Sequence, residues 1–113
     1  MQIRIASKDY EIVYRLNDST AAKELYAQLP LTTAVKPFSN NEMTFYPPVK
    51  LSTENTPLSQ GQTGSLSYYA PWSDVVLFYA PCPPNGSLYE IGEIITGVEN
   101  INKLSGTITI SPI

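Results

Sequence analysis

The sequence contains no histidine, and Cys82 is its only cysteine. Without an imidazole there is no Ser-His-Asp or Cys-His nucleophile and no His-ligated metal. With one thiol there is no internal disulfide and no cysteine-based zinc cage. Cys82 lies in APCPPNG with no cationic neighbour to lower its pKa, so it reads as an idle thiol rather than a nucleophile. Charge is also scarce: 15% of residues are charged, against about 25% in average domains. Seven basic and ten acidic residues give a net charge of −3, and the lysines and arginines are scattered. That balance argues against a nucleic-acid partner, because neutralising phosphates supplies most of the non-specific affinity. No apolar run approaches the roughly 20 residues of a membrane-spanning helix. The opening MQIRIASKDY lacks the apolar stretch of a signal peptide. A soluble chain with no membrane partner is expected, with the cytoplasm favoured. An exported chain trimmed before its present first residue would read the same way.

What is present suits one domain spanning residues 1–113, with 42% hydrophobic residues to fill a core. Gln2 to Ser7 alternate polar and apolar, and the same period of two returns in Tyr10 to Leu16, which predicts an opening hairpin turning at Lys8-Asp9. Asn17-Asp18-Ser19-Thr20 supplies capping side chains, and AAKELYAQL sets Ala22, Leu25, Tyr26 and Leu29 on one face of a helix that Pro30 ends. Strand character resumes in LTTAVKPF and, after Asn40-Asn41, in MTFY. Pro47 to Gly64 reads as a long surface loop. LSYYA and VVLFYA are the most strand-like segments, joined by a turn at Pro71 to Asp74. YEIGEII predicts another strand, GVENINKL about two helical turns, and GTITI a last strand.

GSLSYYAP and VVLFYA, Gly64 to Ala80, resemble the cyclophilin segment that reads roughly G-x-L-S-M-A, a short loop, then S-Q-F-F-I. NGSLYEIGEIITGVENINKLSG, Asn85 to Gly106, is similar to the cyclophilin ending in which a strand closing on F-G-x-V precedes a helix E-G-x-x-x-V-x-x-I. The AAKELYAQLP helix followed by LTT, together with YYAPW, FYA and IGEIITGVENI, more closely resembles the short bacterial and archaeal cyclophilin-like proteins of uncharacterised function. The resemblance implies a mainly β protein: a small closed antiparallel barrel with one N-terminal helix and one short C-terminal helix. True cyclophilins isomerise prolyl peptide bonds with an arginine that donates to the prolyl amide, helped by a glutamine, a tryptophan and a histidine. The matching strand here reads MTFYPPV, Val76 stands before Leu77-Phe78, and Pro83 and Leu88 replace the pocket's tryptophan and histidine. Phe78 alone is kept as a proline-facing aromatic, so the resemblance carries the fold further than the activity.

The candidate site is aromatic. Phe45, Tyr46, Tyr68, Tyr69, Trp72 and Phe78 concentrate ring surface beside the long loop, where they would line a ligand pocket, with Trp72 in its turn as the first contact. The competing reading for Leu66, Tyr68, Leu77 and Tyr79 is that alternate strand residues fill the barrel. Glu42, Glu54, Asp74, Glu90 and Glu93 read as solvated carboxylates, since spacing brings no two of them together for acid-base work or cation binding. Gly61-Gln62-Thr63-Gly64 lacks the lysine of a phosphate-cradling loop. No catalytic residue, metal or cofactor is expected. Three functions stay open at this point: a non-catalytic module for a small molecule or peptide, a weak peptidyl-prolyl isomerase, and a homo-oligomeric interaction protein.

Overall fold

A computed structural model describes residues 1–113. Nine strands form one antiparallel sheet: β1 (Gln2–Ala6), β2 (Glu11–Leu16), β3 (Leu31–Ala34), β4 (Lys36–Phe38), β5 (Glu42–Phe45), β6 (Ser65–Tyr69), β7 (Asp74–Phe78), β8 (Leu88–Thr96) and β9 (Thr107–Pro112). Helix α1 (Thr20–Ala27) follows β2, and a 3₁₀ helix, Val98–Lys103, precedes β9. The strand order is β3-β9-β1-β2-β8-β6-β7-β5-β4. Its two outermost strands, β3 and β4, are consecutive in the chain and separated only by Val35. A sheet whose opposite edges are joined by one residue must curl round on itself, which makes a nearly closed barrel. This is the mainly β, antiparallel class expected from the sequence.

Local chemistry explains the elements. Ser19 caps α1, accepting from the Ala22 amide through its side chain, and the helix buries Ala21, Ala22 and Leu25 against the barrel. The LTTAVKPF segment, one strand by composition, divides because Val35 turns inward and its amide donates to Gly106 O (2.9 Å). Residues 31–34 then pair with β9 and residues 36–38 with β5. The helical turns expected of GVENINKL take the tighter 3₁₀ form after Gly97, whose φ of 93° favours glycine.

Alternation divides the side chains of each strand between two faces. Inward go Met43 and Phe45 of β5, Leu66 and Tyr68 of β6, and Val75 and Leu77 of β7, all within the main core. The long Pro47 to Gly64 connection is tied down more firmly than a free surface loop. Leu51 is buried and donates its amide to the Tyr68 hydroxyl (3.1 Å), Leu58 bridges Tyr89, and Ser59 is 1% exposed.

Candidate functional site

The outward face of β5, β6, β7 and β8 carries the site. Register places Glu42 opposite Phe78, Tyr69 opposite Asp74, and Tyr69 opposite Leu88. Glu42, Tyr69, Asp74, Val76, Phe78 and Leu88 therefore share the side of the sheet that faces away from the core. On most antiparallel barrels that side meets water. Here every residue of β7 is buried, and Val76, Phe78 and Leu88 form a small apolar cluster of their own, with Tyr69 and Cys82 packed against it.

Two structures raise walls over this floor. The β6–β7 turn projects Trp72, whose amide and that of Ser73 both donate to Tyr69 O (3.3 and 2.9 Å). The Trp72 ring meets Tyr69 edge to face at 5.4 Å and Phe38 of β4 at 5.1 Å. Opposite stands the stiff segment Cys82-Pro83-Pro84-Asn85. Its base is fixed by the Cys82 amide donating to Gly61 O (2.9 Å), at a glycine with φ 68° where a Cβ would overlap the Cys82 carbonyl. The cleft between these walls encloses about 420 Å³, a volume suited to a small molecule or one side chain of a peptide.

Two carboxylates lie in this apolar setting. Asp74 is 2% exposed, and its Oδ1 is buried with no hydrogen-bond partner. Burial pushes its carboxyl up to about 6, against the lowering effect of its own backbone amide. Glu42 is half-buried; burial and then the charge of Asp74 push it up to about 7. Burial and the Glu42 charge also raise the Cys82 thiol above its ordinary value, which keeps it protonated and weakly nucleophilic. No lysine or arginine lines the cleft. Arg4 pairs with Glu11 across β1 and β2, and Arg15 with Glu93 across β2 and β8, each at 3.2 Å.

Beyond the cleft, the same face of β6 and β8 holds a closed hydroxyl network. Ser65 Oγ donates to Glu90 Oε1 at 2.6 Å and lies 2.7 Å from Ser67 Oγ, and Ser67 Oγ donates to Ser59 Oγ at 2.9 Å. The Gly61 amide donates to Ser59 Oγ (3.0 Å). Ser59, Ser65 and Ser67 are all buried, so the network pins the long loop to the sheet instead of offering a nucleophile.

Of the six aromatics singled out by sequence, Tyr69, Trp72 and Phe78 line the cleft. Phe45 and Tyr68 point the other way, each 1% exposed in the barrel core, because both are paired in register with the inward Val75. Tyr46 lies outside the cleft, just past the end of β5, and is 54% exposed. Sequence reasoning missed Phe38, which a fold-back of β4 brings to Trp72, and treated Glu42 and Asp74 as solvated. One signal was available: DVVLF is apolar on both faces of a strand, so something had to cover its outer side.

A search of curated proteins finds no match. Among solved structures, the solution structure of a hypothetical protein from Archaeoglobus fulgidus superposes with a TM-score of 0.80, covering 100% of this chain and 95% of that one at 17% identity. At that identity the likeness speaks for the barrel alone. A model of the Cyclophilin-like family matches residues 5–111, nearly the whole barrel. The chain belongs to the Cyclophilin-like family.

Proposed function

We propose that the protein is a non-catalytic binding module that takes a small molecule or a short peptide segment into the cleft between Trp72 and Pro83-Pro84. One observation carries this reading: Val76 and Phe78 on the outer face of β7 make a shielded apolar floor, yet the rings above it leave an open cleft with Trp72 49% and Phe38 46% exposed. Exposed aromatic walls over an apolar floor gain by covering their surface with a ligand. The isomerase reading loses support from the arginines. Arg4 on β1 and Arg15 on β2 are engaged with Glu11 and Glu93, and neither reaches the cleft.

Trp72 is the only tryptophan, so its emission reports the cleft directly. Titration with proline-containing peptides and common metabolites, with a Trp72→Phe control, is expected to give a saturable shift for at least one class. A silent panel together with a blue-shifted resting spectrum would instead mean that Trp72 is covered. A solution mass above that of one chain would then assign the cover to a second copy.

A further inference from the structure

The cleft holds two acids, an aromatic wall and no base. A buried carboxylate ordinarily has a cation or several donors as partners, because an unpaired charge in an apolar site is costly. Asp74 has neither around its Oδ1, although the residue is only 2% exposed. Glu42, on the neighbouring strand and the same face, adds a second negative charge rather than relief. Lys36, on the same strand as Phe38, makes no ion pair with either carboxylate. A metal ion does not answer the imbalance, since Glu42, Asp74 and Cys82 do not converge as a ligating group. The wall is made of Phe38, Tyr69 and Trp72, whose ring faces attract organic cations. The floor of Val76, Phe78 and Leu88 fits a hydrocarbon stem.

Resting on the binding reading above, we infer that the occupant of the cleft carries an alkylammonium or guanidinium head on an apolar stem, with the head held by Glu42 and Asp74 and flanked by Phe38, Tyr69 and Trp72. Such a head supplies the donors that Asp74 lacks and separates the two like charges. The stem covers the apolar floor. A free amine and a basic side chain of a peptide present the same chemistry.

Benzylamine, its neutral counterpart benzyl alcohol, and the peptide acetyl-Gly-Arg-Gly-amide distinguish these cases when titrated against Trp72 emission at about pH 8, above the values of both acids. Benzylamine, the arginine peptide or both are expected to bind about tenfold or more tightly than benzyl alcohol. The arm that binds more tightly identifies the source. In Asp74→Asn and in Glu42→Gln that preference is expected to collapse toward equality. Should Asp74→Asn fail to fold, Glu42→Gln at the half-buried position decides. Equal binding of benzylamine and benzyl alcohol, with no peptide binding, overturns the cationic head while leaving the binding cleft intact. No binding of any probe overturns the inference and weakens the cleft reading with it. A preference retained in both variants overturns the assignment to these two carboxylates.

Discussion

Phe38 on β4 and Trp72 in the β6–β7 turn meet edge to face, with ring centroids 5.1 Å apart and planes at 81°. The contact joins the last strand of the sheet to the turn that walls the cleft, and it holds a half-exposed indole in one orientation. Phe38→Ala is expected to leave Trp72 with Tyr69 as its only ring partner, shifting its emission to the red and lowering stability by about 0.5–1.5 kcal/mol. Emission spectra and urea unfolding check this. An unchanged spectrum would mean that Phe38 does not hold the indole.

Stability is expected to fall as pH rises. Glu42 at about 7 and Asp74 at about 6 lie above ordinary carboxyl values near 4.5 and 3.8. The folded state therefore holds protons that the unfolded chain has already released. Their contribution is fully present below about pH 4 and is lost through about pH 7. Of the other groups in the cleft, the Cys82 thiol from the β7–β8 connection is held protonated by burial and the Glu42 charge, and Lys36 on β4 makes no ion pair. Thermal midpoints measured across that interval should decline, and Asp74→Asn should flatten the decline. A midpoint that climbs steadily to pH 7 would contradict the burial of these acids.

Tyr14 is fully buried on the inner face, and its hydroxyl has no hydrogen-bond partner. Burial alone raises its phenol above the ordinary value. Removing an unpaired buried hydroxyl removes a desolvation cost, so Tyr14→Phe is expected to be neutral or stabilising by up to about 1 kcal/mol. A loss of more than that in denaturant unfolding would show that the hydroxyl has a partner.

Ser65→Ala removes the donor to Glu90 and the contact with Ser67. A part-buried carboxylate left without its donor costs about 1–3 kcal/mol, more than the serine hydroxyl alone would explain. Ser65→Ala combined with Glu90→Gln should recover part of that loss. If the double variant is as unstable as the sum of the singles, the two side chains are not coupled.

The barrel was legible because most strands carry a period of two and are bounded by turn residues, as in Gln2 to Leu16 and GTITI. LTTAVKPF concealed a break. Whether β-branched residues continue as one strand or bend at Val35 depends on partners far away in sequence, β9 on one side and β5 on the other. The site was half legible for the same reason. Tyr68 and Tyr69 are adjacent and chemically alike, and only the register opposite Val75 and Asp74 sends one into the core and the other into the cleft. Glu42 and Asp74 looked like solvated acids because nothing local shows that the Cys82-Pro83-Pro84-Asn85 segment and the aromatic wall close over them.

The most direct test of the cleft is amide and indole chemical-shift mapping by NMR during titration with whichever probe shifts Trp72 emission. Trp72 gives the only indole N–H cross-peak. A binding cleft predicts that this peak moves together with the amides of Phe38, Glu42, Asp74, Cys82 and Leu88, which surround one cavity from β4, β5, β7, the β7–β8 connection and β8. Shifts confined to another face, such as the exposed Tyr46 and Val49 beyond β5, with the indole peak unmoved, would contradict it.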